Sequence, residues 1–317
     1  MRVLVTGGAG FVGSHLVARL LARGDEVVVL DDLSTGDAAT IDRSRASLIV
    51  ADVTDATQVD ASVAGVDRVV HLASVVGVER VAAEPARTRT VIEHGARAVI
   101  AAATRHRVPT IVVTSSEVYG FEAPAPVHES FEPADDDAVA ARWSYVRAKR
   151  VADRLARDAY AAGAPILTVR PFNIVGERQR EDGGAVLPRF VARALRGEPL
   201  EVHGDGAQSR ALLDVRDAAS ALVALLEHER FAFDALNLGG RDEWTMLALA
   251  HEVVRVLRVA VDVHCVAPSA ERRVAEIRRR LPDLTRLTAL GIRPAAIDLA
   301  AVVQRVATSL EAAAAGV

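Results

Sequence analysis

Short runs of Val, Ile and Leu alternate along the first half of the chain with longer stretches whose apolar residues recur every three or four positions. RVLVT (2–6), EVVVL (26–30), SLIV (47–50), RVVHLA (68–73), TIVVTS (110–115) and PILTVR (165–170) read as strands. Helical spacing occupies residues near 11–23, about 84–106 and about 143–162. Strands apolar on both faces, with helices between them, predict an α/β fold in which a parallel sheet is covered by helices. The Pro- and Asp-rich stretch 121–138 predicts a surface loop. Beyond about 171 the pattern is less regular. Glycine-rich turns in EDGG and HGDGAQ interrupt it, and helices are expected to dominate the C-terminal third. With no internal repeat and no linker, a compact lobe packed on the sheet's C-terminal edge is the simplest arrangement.

Composition narrows the classes. The chain has 317 residues, half of them hydrophobic, and a formal net charge of −4, so no general attraction to nucleic acid follows. Cys265 is the single cysteine, which excludes an intramolecular disulfide and fits a reducing compartment. MRVLVTGGAG opens on a strand and a turn without a cleavable apolar segment, and no apolar run is long enough to span a bilayer. The expectation is a cytoplasmic protein. No Cys/His/Asp cluster has metal-ligand spacing, so no metal is expected.

TGGAGFVGSHL places Gly7, Gly10 and Gly13 between a predicted strand and a predicted helix. Glycines there allow a tight turn and close approach of a pyrophosphate, which the N–H groups around Phe11 and Val12 would hold at the helix N-terminus. Asp31, at the end of the next strand with Asp32 beside it, lies where a carboxylate would hold a ribose 2′-hydroxyl and repel a 2′-phosphate; NAD is therefore expected over NADP. Asp52 and Val53 end the third strand, where an adenine amino group could be met, although Asp52 could equally cap a turn. Leu72, Ala73 and Ser74, in HLAS, end the fourth strand close to the expected path of the dinucleotide. His71 could be a packed, hydrogen-bonded histidine.

RWSYVRAKR sets Tyr145 and Lys149 four residues apart, on one face of a predicted helix. A free tyrosine, with a pKa of ~10, is a poor base at neutral pH. A nearby ammonium and a nicotinamide charge would lower that value. Tyr145 could then take a proton from a sugar hydroxyl, with Ser115 bonded to the same oxygen. VTSSEVYG ends an apolar strand with Ser115, Ser116 and a carboxylate, Glu117, which is costly there unless paired, solvated or used.

Taken together, TGGAGFVGSHL, DDLSTG, HLAS, SSEVYG, Tyr145/Lys149, RPFNIVG, GDGAQSR and LNLGG resemble the extended short-chain dehydrogenase/reductase family of NAD-dependent sugar-nucleotide epimerases, dehydratases and decarboxylases. The resemblance covers nearly the whole chain. It implies a Rossmann doubly wound parallel sheet over 1–170, with later segments (about 211–240) returning to it. It also implies a smaller C-terminal α/β substrate-binding lobe, mainly 171–317, bound NAD, a UDP-sugar substrate and a homodimer.

Within that resemblance Ser115-Ser116-Glu117 is similar to the Thr-Ser-Glu of UDP-glucuronate decarboxylases, and Ser116 is not the acid of a 4,6-dehydratase. RRRLPD resembles their Arg-x-Pro-Asp segment, which implies an active-site role for Arg280. Asn173 matches a position contacting sugar or diphosphate, and Arg210 a diphosphate-binding arginine. Arg189 and His203 are further substrate-side candidates, His203 near the base. The other arginines of 272–280 read as a solvated helix face, and Trp143 and Trp244 as packing. The expected reaction is decarboxylation of UDP-glucuronate through a 4-keto intermediate, giving UDP-4-keto-pentose or UDP-xylose. Two features depart from the pattern. Ile92 replaces the family's usual Asn, and VVGVER resembles the glucuronate 4-epimerases. A 4-epimerase is therefore the runner-up, ahead of a 4,6-dehydratase and a non-catalytic NAD-binding module.

Overall fold

The computed structural model describes residues 1–121, 123–133, 143–267 and 277–315, without the side chains of Val78 and Trp143. Its main sheet has seven parallel strands: β1 (Arg2–Thr6), β2 (Glu26–Asp31), β3 (Ala46–Val50), β4 (Arg68–His71), β5 (Thr110–Val113), β6 (Ile166–Pro171) and β11 (Ala235–Leu238). Their order is β11-β6-β5-β4-β1-β2-β3. The chain winds outward from β1 to β3, then returns to β4 on the other side of β1. That reversal opens a crevice at the C-terminal ends of β1 and β4, the switch point where such sheets bind ligands.

Alternation along each strand sends successive side chains to opposite faces. Val3, Val5 and Val29 pack with Leu16 and Leu20 of α1 (Phe11–Arg23) and Leu222 of α7 (Val215–Leu226). On the other face Leu4, Val28 and Val69 meet Val59 of α2 (Ala56–Val63) and Val99 of α4 (Pro85–His106). Val112 and Ile166 pack there against Ala148 and Ala152 of α5 (Trp143–Ala161). Burial on both faces is why these strands read as continuous apolar runs.

Several expectations need correction. RVVHLA and TIVVTS are shorter as strands than read, ending at His71 and Val113. A separate helix, α3 (Val78–Ala83), precedes α4, because Pro85 suits a first helical turn and not an interior. Helices dominate the C-terminal third as expected, but beyond 171 the chain also holds three small sheets: β7 (Ile174–Val175) with β10 (Leu213–Asp214), β8 (Leu200–His203) with β13 (Val263–Val266), and β12 (Glu243–Thr245) with β9 (Ser209–Ala211) and β14 (Arg279–Arg280). Strands of two to four residues carry too little periodicity to be read. Arg279 and Arg280 are therefore extended and not on a helix face; residues 272–276 and 134–138 lie outside the described residues, as does the side chain of Trp143. The lobe core joins α6 (Val186–Leu195), α8 (Met246–Leu257) and the helix Leu299–Ala315 through Leu187, Phe190, Leu249 and Val302, with Trp244 packed against it.

Arg170, near the end of β6, is 2% exposed. Its Nε and Nη2 donate to the Asp153 carboxylate at 2.8 and 2.6 Å, and its Nη1 to the Tyr119 hydroxyl and the Glu129 carbonyl, both at 2.9 Å. Removing one member of such a pair strands a buried charge, at a cost of about 3–5 kcal/mol. Asp153→Ala is expected to lower unfolding stability by about that amount, read from urea midpoints at unchanged m-value.

Candidate active site

The glycine turn stands at the end of β1. Gly7 has φ +70°, and a Cβ on it would lie 2.6 Å from the Ala73 nitrogen; one on Gly13 would lie 2.1 Å from the Gly7 carbonyl oxygen. Side chains are thus excluded where the turn presses on HLAS. Gly10 caps α1 without a side-chain acceptor, and the first turn, with Phe11 and Val12, has no acid. This N-terminus keeps its partial positive charge for an anion.

Asp31 is buried, and its oxygens accept the Ala9 and Leu33 N–H groups, each at 2.9 Å. Burial nevertheless raises its carboxyl above the usual range, with the Asp32 charge adding to the rise. Each oxygen retains a further lone pair for a ribose hydroxyl. Turn, uncapped helix and carboxylate together fit a dinucleotide of the NAD type. Asp32 accepts the Ser34 N–H at 2.9 Å and pairs with Arg87 of α4 at 3.2 Å. Asp52 is exposed and caps Thr54 at 2.8 Å, while Val53 is buried against Gly95. Leu72 N–H and Ala73 N–H donate to the carbonyl and hydroxyl of Thr6 at 3.0 and 3.3 Å, and Ser74 donates to the Val75 carbonyl at 3.4 Å. His71 is buried and bonded to Thr6 Oγ1 at 2.7 Å; burial, then the Lys149 charge, lowers it to about 3, so it stays neutral.

One strand over, Ser115 caps the 3-10 turn Ser116–Tyr119, its Oγ accepting the Glu117 N–H at 3.1 Å. Ser115 also shares a hydrogen bond with Tyr145, whose hydroxyl feels the Glu117 charge. Ser116 is buried and Glu117 half-buried. Lys149 is buried, donates to the Val113 carbonyl at 3.3 Å and lies 5.9 Å from the centre of the Tyr145 ring. The expected lowering of the tyrosine by the lysine is not what this arrangement produces. Burial pushes Tyr145 up to about 12; the Ser115 bond opposes that and the Glu117 charge adds to it. Burial brings the Lys149 ammonium down to about 8. Ile92 is buried beneath this group, in the apolar contact of α4 with α5 against which Tyr145 packs.

On the lobe side, Asn173 has φ +38° and donates Nδ2–H to the Ala211 carbonyl at 3.1 Å. Arg210 donates to the Ser209 and Ile277 carbonyls at 2.7 and 2.8 Å, and pairs in register with Arg280 across β9 and β14. Arg280, expected to reach the substrate, is 3% exposed, and its Nη2 donates to the Gly120 carbonyl at 2.8 Å. Arg189 and His203 are half-buried on separate elements, α6 and the end of β8. The polar partners Tyr119, Glu129, Arg150, Arg170 and Asn237 escape sequence reasoning; each reads in the sequence as an ordinary loop, helix or strand residue. Among the described residues, no group of three His, Cys, Asp or Glu side chains could hold a metal ion, and no helix is long and apolar enough to cross a membrane.

A glycine turn and acid at the switch point, with Ser, Tyr and Lys gathered one strand away, define a dinucleotide-dependent α/β protein. The model of the NAD dependent epimerase/dehydratase family matches residues 3–239; the chain belongs to that family, and its cofactor is NAD. It is 33% identical over 291 residues to UDP-glucuronic acid decarboxylase 1 of Arabidopsis thaliana, covering 90% of this chain and 64% of that relative. It thus spans less than two thirds of the length of that plant relative. It is 32% identical over 298 residues to UDP-N-acetyl-alpha-D-glucosaminuronate decarboxylase of Bacillus cytotoxicus, covering 90% of each. Its fold matches UDP-glucose 4-epimerase of Thermus thermophilus, in complex with NAD, with a TM-score of 0.84 and 26% identity over 99% of this chain and 100% of that one.

Gly13→Ala is expected to weaken NAD retention at least tenfold, or about 1.4 kcal/mol, because the clash is backbone against backbone. Cofactor content of the purified variant, at unchanged far-ultraviolet circular dichroism, checks it.

Proposed function

We propose that the protein decarboxylates a UDP-linked sugar acid, UDP-glucuronate in the first instance, through a 4-keto intermediate. The observation that carries the reading is Glu117, whose charge acts on the Tyr145 hydroxyl while Ser115 bonds to it. The similarity to relatives named as decarboxylases of two UDP-sugar acids supports the substrate class. Gly7, Gly10, Gly13 and Asp31 would hold NAD, which when bound supplies oxidation at C4 of the sugar and the later reduction.

The chain's own groups manage the protons. Tyr145 Oη accepts the proton of the C4 hydroxyl, and Lys149 supplies positive charge beside the ring. In the resulting β-keto acid the C5–C6 bond breaks, CO2 leaves, and the electron pair moves through C5 to the C4 carbonyl oxygen. Tyr145 and Ser115 donate hydrogen bonds to that developing oxyanion. Ser116 and Glu117 position the ring, and a water beside Glu117 would deliver a new proton to C5 of the enolate. Asn173 and Arg210, with Arg189 and His203 further out, take the diphosphate and nucleoside side. A fork of N–H donors suits phosphate oxygens. The likeness to a UDP-glucose 4-epimerase favours a second reading, in which the keto sugar turns over and C4 is inverted.

Incubation with UDP-glucuronate, followed by NMR and mass spectrometry, should give a UDP-pentose or UDP-4-keto-pentose with loss of CO2. An unchanged mass with inverted C4 would replace this reading with the epimerase one. Tyr145→Phe should lower turnover by roughly 10²–10⁴-fold.

The pH dependence has a fixed sign. The Lys149 ammonium is present below about 8 and lost above it, so turnover should fall as pH rises through about 8. Between about 8 and the ordinary lysine value of 10.5 the unfolded chain binds the extra proton, so the cost that burying the Lys149 ammonium places on the fold is relieved as pH rises through that window. Activity lost there without unfolding, in parallel rate and melting profiles, is the expected result.

A further inference from the structure

We propose that Arg150 is a positioning residue, which together with Arg280 clamps the turn that carries Glu117 and so holds that carboxylate beside Tyr145. The inference rests on the decarboxylase reading for the use made of Glu117, but not for the geometry.

Arg150 follows Lys149 on α5, the helix that also carries Tyr145. Its Nε donates to the Val118 carbonyl at 3.0 Å. Its Nη2 lies 2.9 Å from where a Cβ on Gly120 would stand. From the other side Arg280 donates to the Gly120 carbonyl at 2.8 Å. Between those two peptides Tyr119 is 1% exposed, its hydroxyl donating to Asn237 Oδ1 at 2.7 Å and accepting from Arg170 at 2.9 Å. Three consecutive residues are thus each held by a different guanidinium. The turn itself is short, closed by Gly120 N–H on the Glu117 carbonyl at 3.1 Å and by the Ser115 cap at 3.1 Å. It has little freedom once its far end is fixed.

This arrangement ties two parts that must keep register. One helix carries the proton-transfer tyrosine and the arginine that grips the turn. Loss of the grip would let Glu117 move relative to Tyr145 without touching substrate or cofactor. Lysine at 150 would keep the charge but not the planar fork that reaches the carbonyl while passing the face of Gly120.

The sign of one measurement separates positioning from plain electrostatics. Removing a positive charge near a phenol raises its pKa, whereas displacing Glu117 from the phenol lowers it. The test compares Arg150→Met, Arg150→Lys, Glu117→Gln and the Met/Gln double variant in the NAD-loaded protein. Tyr145 ionisation is read by near-ultraviolet difference spectra against Tyr145→Phe, and CO2 release from UDP-glucuronate is timed. The expected result is a lower Tyr145 pKa in Arg150→Met, little rescue by Arg150→Lys, and at least about tenfold slower CO2 release with KM and NAD content held. In the double variant neither effect should exceed that of Glu117→Gln alone. A raised or unchanged Tyr145 pKa in Arg150→Met, or effects that add in the double variant, would overturn the clamp. If Arg150→Met does not fold, Arg150→Lys carries the same comparison. Should the wild-type protein invert C4 instead of releasing CO2, the functional reading fails while the tyrosine shift still decides the clamp.

Discussion

A guanidinium taken out of water must find partners for its N–H groups, and Arg170 finds them in three separate parts of the chain. Asp153 comes from α5, Tyr119 from the turn after β5, and the Glu129 carbonyl from the loop beyond it. Asn237 of β11 extends the set: its N–H donates to the Glu129 carboxylate at 2.8 Å and its Nδ2 to the Val127 and Asp283 carbonyls at 2.9 and 3.1 Å. The helix with Tyr145 and Lys149 and the turn with Ser116 and Glu117 therefore meet at one buried charge, and the return from β14 joins them through Asn237. Such a pair adds little net stability over apolar packing, yet alternatives that break it are expensive. Its main effect here is to select one arrangement of the reaction-side wall.

The opposite wall is fixed by different physics. The glycine turn is set by steric exclusion, with no side chain tolerated between Gly7, Gly13 and Ala73. The lobe is then joined to that wall by charge. Glu177, just past β7, meets Arg216 of α7 at 2.7 Å and Arg305 of the last helix at 3.0 Å, and its carbonyl accepts from His15 of α1 at 3.1 Å. Burial opposes ionisation of Glu177, but a bond from its own backbone N–H and those from Arg216 and Arg305 override it and hold the carboxyl down to about 2. The crevice is thus pinned at both ends by partly or fully buried ionic groups, with the small sheets of the lobe between them.

The sheet, its parallel sense, the glycine turn and the acid after β2 were legible because each rests on local rules: two-faced apolar strands, glycine where no side chain fits, an acid at a strand end. Tyr145 and Lys149 were legible from spacing and Ser115 from its strand end, and the structure gathers the three. The lobe was not, because its strands are too short for a period and are held by neighbours distant in sequence, such as Arg210 with Arg280. Arg150 was illegible for a related reason. An arginine after a lysine on an amphipathic helix looks solvated until the Val118 carbonyl is brought to it. Arg280 was singled out by motif, but its side chain turns onto the Gly120 carbonyl, a contact that only the tertiary fold creates.

The direction of the Tyr145 shift bears most directly on why a carboxylate ends this strand. With burial and Glu117 both acting against ionisation, the phenol of the protein alone is strongly held in its neutral form. A neutral phenol is a hydrogen-bond donor, which is what an oxyanion on C4 requires while CO2 departs. Tyr145 becomes a competent base only while positive charge stands beside it, and reverts to a donor when that charge is gone. In the proposed reaction those two demands fall in succession: proton acceptance during oxidation at C4, then donation to the oxyanion. Glu117 biases the second. A small neutral residue at 117 would leave the phenol easier to ionise throughout, which suits proton exchange at C4 but weakens the donor that decarboxylation needs. On this reading the carboxylate stands at the end of β5 because its charge acts on the tyrosine.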